Sequence, residues 1–364
     1  MSWAEAAGLI GHGDLLAGLW AAAGRGHLPH ALSFEGPEGV GKFLAALRLV
    51  NGLLCERGPG APCVAAVGEK PCGPCLRFRS GNHLDVHVVD PQALGIELIP
   101  IHYVTRRLPE PVVEVTIEEA LALRPAEGGW RAVIVRDAEL MNEAAQSALL
   151  KTLEEPGHAV LLLLETSRPH LLLETVHSRC VRVRFEPLTE AQTLAVLARE
   201  GLAEEEAATL ARWSRGAPGR ALAMARRGAL EMRALMAAVL AGELDPLEAA
   251  TRLQQVEGDF RGTSERAPAR QRARAATDLA LEVARDLSRV AAGVPSARAA
   301  HGDLADGAGK QQDPGDIGRC VDELLQARQD VEMNLSPEGV LDRAMLALSR
   351  CARRATKTES ETRR

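Results

Sequence analysis

Aromatic side chains are scarce: Phe, Trp and Tyr together make up 3% of the 364 residues. A core must therefore be assembled from aliphatic groups, and the abundance of Ala and Leu favours packed helices. An excess of positive charge is also missing. The formal net charge is -6, so no global basic field draws the chain to nucleic acid, and any DNA contact should be local or made through partners. No apolar run is long enough to span a bilayer. The first residues carry no basic region ahead of an apolar segment, so no secretory signal is expected and the expected compartment is the cytoplasm. An even cysteine framework is absent too. Four of the seven cysteines fall between Cys55 and Cys75, while Cys180, Cys320 and Cys351 are scattered. In a cytosolic protein such a cluster suits a metal better than disulfides.

What is present begins with enough apolar residues, 46%, to bury two or three domains. Segments 31–35 (ALSFE), 85–90 (DVHVVD), 131–137 (RAVIVRD), 159–165 (AVLLLLE) and 180–185 (CVRVRF) read as strands. The third and fourth are continuous apolar runs, as in strands covered on both faces. Helical patterns alternate with them: Phe43 to Leu54 carries apolar residues at helical spacing, and Asn142 is placed to cap a helix that Pro156 and Gly157 end. This alternation predicts an α/β module with a mostly parallel sheet over 1–187. After Pro187 the pattern is helical only. We expect a small helical lid at 188–230, a helical domain at 231–353, and a frayed tail at 354–364. The polar, Gly-rich stretch 296–316 reads as a mobile loop, and 97–116 has no clear pattern.

Gly36-Pro-Glu-Gly39-Val-Gly41-Lys42 fits the G-x-x-x-x-G-K phosphate loop and sits between a strand and a helix. Such glycines let backbone N–H groups cradle phosphate oxygens, and the lysine adds a point charge. The next position should carry a Ser or Thr hydroxyl for Mg²⁺; here it is Phe43. The second magnesium-holding position is an Asp ending an apolar strand; in RAVIVRDAE it is Arg136, followed by Asp137 and Glu139. Two defects on one ion predict a site that does not hydrolyse ATP and that binds Mg²⁺–ATP poorly. The competing expectation is that Asp137 or Glu139 slips in to serve.

Cys72-Gly-Pro-Cys75 has the spacing with which two thiolates reach one ion, and Cys55 and Cys63 bring the set to four. The alternatives are free thiols or a redox C-x-x-C pair.

The segment MNEAAQSALLKTLEEPGHAVLLLLETSRPHLLLETVHSRC, 141–180, resembles the signature region of bacterial DNA polymerase III clamp-loader subunits, a family of AAA+ proteins. The resemblance runs from about His30 through the first module and continues weakly at 214–225 and 334–348. It implies that Arg179, in Ser178-Arg179-Cys180, is an arginine finger reaching the ATP of a neighbouring subunit. It further implies that Thr166, with Ser167, matches sensor 1 and that Arg220 matches sensor 2. Phe43 and Arg136 fit the delta-prime branch, whose members commonly lack a working ATP site. The resemblance also implies a structural Zn²⁺ module at 55–78, although the usual fourth ligand position holds Phe78 and Cys63 would have to replace it. The 231–353 domain would be the collar joining a ring with gamma/tau and delta subunits. That ring would open the sliding clamp and place it on primed DNA. The competing expectations are an active gamma/tau-type ATPase and a zinc-bearing nucleic-acid-binding adaptor.

Overall fold

A computed structural model of the chain describes residues 9–60, 63, 70–106, 113–127, 129–260, 266–307 and 314–352. The expected tail at 354–364 lies outside them. Two compact units emerge, one of residues 1–201 with 216–219, the other of 202–215 with 220–364.

The first unit is built on five parallel strands: β1 (Ala31–Glu35), β2 (Val86–Val89), β3 (Arg131–Val135), β4 (Val160–Thr166) and β5 (Val181–Arg184). They lie in the order β2-β3-β4-β1-β5, so the α/β parallel-sheet expectation holds. The centre belongs to β4, every residue of which is buried, and its run of four leucines reflects cover on both faces. Successive side chains alternate between two cores. Leu32, Phe34, Ile134, Leu161 and Leu163 meet α1 (Gly13–Gly24) and α2 (Lys42–Leu54) on one face. Val133, Val135, Leu162 and Leu164 meet α5 (Ile117–Ala122) and α6 (Glu143–Glu154) on the other. The Asn142 side chain caps α6 by accepting from Ala145 N–H at 2.9 Å. The alternating CVRVRF segment forms the edge strand β5, whose two arginines discourage further pairing. Within 97–116, a stretch with no clear periodicity, a short 3₁₀ turn (Ile101–Tyr103) and a Thr116–Glu119 capping box are formed.

The second unit is helical. It includes α9 (Glu204–Ser214), α11 (Ala229–Leu240), α12 (Pro246–Leu253), α13 (Ala267–Ala291), α14 (Gly302–Gly307), α15 (Pro314–Glu332) and α16 (Pro337–Ala352). The reading of 296–316 as a mobile loop is corrected over its first part. A 3₁₀ turn (Ser296–Arg298) and α14 form there. His301, 0% exposed, is wedged against Trp213 at 4.9 Å. Burial of that ring and of Ala299 and Ala300 anchors a stretch that is polar by composition. No helix among the described residues is long and apolar enough to cross a membrane.

Candidate nucleotide and cysteine sites

Parallel strands deliver their carboxyl ends to one edge of the sheet, where ligands of such folds bind. The 36–42 loop follows β1 there. A Cβ on Gly36 would stand 2.4 Å from the Phe185 carbonyl oxygen, so only glycine fits. Gly39 and Gly41 hold φ of 78° and 109°, which lets the loop turn into α2. Gly39 O in turn accepts the Gly219 N–H at 2.8 Å, and His12 Nε2 lies 3.1 Å from Val40 O. The cradle predicted from Gly36, Gly39 and Gly41 is therefore formed and braced.

Lys42 does not project from it. At 2% exposure, its Nζ donates to Gly36 O and Pro37 O at 2.9 Å each and to Ser167 Oγ at 3.3 Å. Its ionic partner is Glu165, 3.7 Å away. Burial lowers the Lys42 pKa and the nearby carboxylates, Glu165 first, oppose that.

The two misfit residues face each other. The Arg136 guanidinium carbon lies 5.0 Å from the Phe43 ring centroid. Its Nη1 donates to Asp90 Oδ2 at 3.0 Å, and its Nε is 3.9 Å from Glu165 Oε2. Burial works against the Arg136 charge, but Asp90 and Glu165 outweigh it and its pKa is raised. A guanidinium thus stands among the carboxylates at the edge where such loops hold Mg²⁺. Burial drives Glu165 up to about 7, although Lys42 and Arg136 pull it back. Lys42 and Glu165 are both shifted toward their neutral forms, and burial is the first cause of each.

Asp137 and Glu139 both stand close enough to oppose the burial of Lys42 electrostatically, after Glu165. Asp137 adopts a left-handed backbone (φ 49°), and burial raises its pKa. Glu139 Oε1 accepts from Ser167 N–H at 3.2 Å and lies 3.7 Å from Arg168 Nε. Thr166, fully buried, uses its hydroxyl to accept from Arg168 N–H at 3.1 Å, so Ser167 is the residue of that turn that meets Lys42. Arg220 is ion-paired with Glu282 of α13 within the second unit.

Arg179 lies at the surface just before β5. Its guanidinium bonds Glu154 Oε1 at 2.5 Å, Thr175 O at 3.1 Å and Ser178 Oγ at 3.3 Å. Its ionic partner is Glu154, at the end of α6. An exposed pair of this kind is worth roughly 0–1 kcal/mol and releases easily.

All four clustered cysteines come together: the sulfurs of Cys55, Cys63, Cys72 and Cys75 lie within 4.8 Å of one another. Tetrahedral coordination by four sulfurs at about 2.3 Å needs edges of about 3.8 Å, so the set fits a metal with small adjustments. Cys72 N–H points at Cys63 Sγ, 3.2 Å away. Burial raises the Cys63 and Cys75 thiols; at Cys72 burial also pushes upward, but hydrogen bonds together outweigh it and lower that thiol. Cys72 and Cys75 open helix α3 (Gly73–Arg79), a placement that redox C-x-x-C pairs share, but the convergence of Cys55 and Cys63 is what a metal requires. Phe78 is buried in the core, and His83 Nδ1 accepts from Asp85 N–H at 3.1 Å as a loop residue.

Sequence reasoning passed over Asp90 and Glu165, which with Arg136 and Lys42 form the ionic centre of the site. Their signal was position: each is an acid at the carboxyl end of a strand.

Residues 11–189 match the family model described as "DNA polymerase III, delta subunit". The chain is 35% identical over 161 residues to DNA polymerase III subunit delta' of Bacillus subtilis, covering 44% of this chain and 43% of that one. It is 34% identical over 210 residues to subunit delta' of Escherichia coli, covering 56% and 55%. To subunit tau of Escherichia coli it is 30% identical over 182 residues, covering 50% and 25%. The chain thus spans about half the length of the delta' relatives it matches.

Proposed function

We propose that this chain, which over residues 11–189 belongs to the DNA polymerase III delta-subunit family, serves as the delta-prime-type, non-hydrolysing subunit of a clamp loader. It would assemble through 231–353 with gamma/tau and delta subunits and help place a sliding clamp on primed DNA. The observation that carries the reading is Arg136. Stacked on Phe43 and bonded to Asp90, its fixed positive charge opposes Mg²⁺, and Lys42 is saturated by the loop's own carbonyls. Transition-state charge at a phosphoryl group needs metal and lysine together, so this cradle supports no turnover of its own.

Arg179 supplies the complementary role. Released from Glu154, its guanidinium would neutralise charge on the phosphoryl group of a neighbour's ATP. Cys55, Cys63, Cys72 and Cys75 would hold a structural Zn²⁺, pinning the end of α2 to the start of α3.

Reconstitution tests the reading. The isolated chain should show no Mg²⁺-dependent ATP turnover. Arg179→Ala should leave assembly with gamma/tau and delta intact and lower the ATPase of the complex at least about tenfold. Robust turnover by the isolated chain, abolished by Lys42→Ala, would mean a gamma/tau-type ATPase instead. Failure to co-assemble would point to a nucleic-acid-binding adaptor.

A further inference from the structure

The helical unit contains a cleft of about 800 Å³ beside the start of α13 and the turn that leads into α16. Arg266, Arg270 and Arg272 line it, and the one acidic side chain among its lining residues is Glu338. Arg272 is held in place: its Nε donates to Val256 O at 3.0 Å and its guanidinium lies 4.9 Å from the Phe260 ring centroid. Arg266 and Arg270 make no ion pair or side-chain hydrogen bond among the described residues. Further along α13, Arg274 pairs with Asp278 and Arg289 with Asp286. Arg266 and Arg270 thus leave two uncompensated cations at the cleft, beside the anchored Arg272. Its other lining mixes polar side chains (Gln254, Asn334, Ser336) with aliphatic ones, Leu335 half exposed and Leu341 buried beneath.

We propose that this cleft docks an acidic peptide segment of a partner protein. Carboxylates would take the guanidinium forks of Arg266, Arg270 and Arg272, and one aliphatic or aromatic side chain would rest on Leu335 and Leu341. Charge complementarity selects this occupant. Three guanidinium groups against one carboxylate leave a net positive cleft on a chain whose net charge is -6. The chain's own 353–364 tail, with five basic and two acidic residues, has the wrong sign. Single-stranded nucleic acid would want aromatic platforms for its bases, and no aromatic side chain lines the cleft.

The full chain would be titrated by fluorescence anisotropy against a labelled nonapeptide of aspartates and glutamates around a central Leu-Phe pair. The expected result is micromolar binding that weakens as salt rises. Arg266→Glu with Arg270→Glu should weaken it at least about tenfold, with an unchanged urea midpoint. Leu335→Ser, at an exposed position, should weaken it about threefold. Absence of binding overturns the proposal. So does equal affinity in the double-arginine variant, or tighter binding of an oligothymidylate of matched charge.

Discussion

Glu165 offers the most quantitative test of the ionic centre. Burial lifts its carboxyl from 4.5 to about 7 in the folded chain, even with Lys42 and Arg136 close by. An acid whose folded pKa is raised binds more protons folded than unfolded between those two values. Stability from this group is therefore full below about pH 4.5 and is lost as pH climbs through about 7. A rise of that size corresponds to roughly 3 kcal/mol, at about 1.4 kcal/mol for each tenfold change in proton affinity. Glu165→Gln removes that titration while keeping the shape. Urea unfolding of both proteins from pH 4.5 to pH 8 should show the variant gaining on the wild type by up to roughly 3 kcal/mol across the window. A difference that stays flat with pH, or one in which the variant loses ground as pH rises, would refute the placement of Glu165 as a buried acid between two cations.

Restoring the missing groups should restore the metal: Phe43→Thr with Arg136→Asp is expected to bind Mg²⁺–ATP at least about tenfold more tightly than wild type by calorimetry. Elemental analysis should find about one Zn²⁺ per chain, and Cys63→Ser should reduce that content and lower the thermal midpoint. Leu163→Ala, in the fully buried β4, should cost roughly 2–5 kcal/mol in urea unfolding without altering the cysteine site.

Legibility in the sequence followed the range of the interactions. The loop at 36–42 was plain because its glycines act on their own backbone: Gly39 and Gly41 do turn with positive φ. Asn142 announced its helix because a cap acts three residues away. Cys63 was the fourth thiol of the cluster, which the family resemblance implied would stand in for the position held by Phe78, and the structure brings it to the other three. Thr166 and Ser167 stand together in the motif, and only the fold separates them, burying Thr166 and bringing the Ser167 hydroxyl to Lys42. In 296–316, composition misled because His301 and its neighbours are anchored by Trp213 and Arg233, 88 and 68 residues away in sequence.

By itself, then, the amino-acid order determined the strand–loop–helix alternation, the parallel sheet, the phosphate-loop backbone and the loss of two magnesium-holding side chains. Each of these is decided by residue type within a few positions, through periodicity, caps and the steric freedom of glycine. Tertiary structure alone decided what replaced the metal. Asp90, Arg136 and Glu165 come from three different strand ends, and they meet only because β2, β3 and β4 lie side by side. Electrostatic energy depends on separation in space, and separation along the chain does not reveal it.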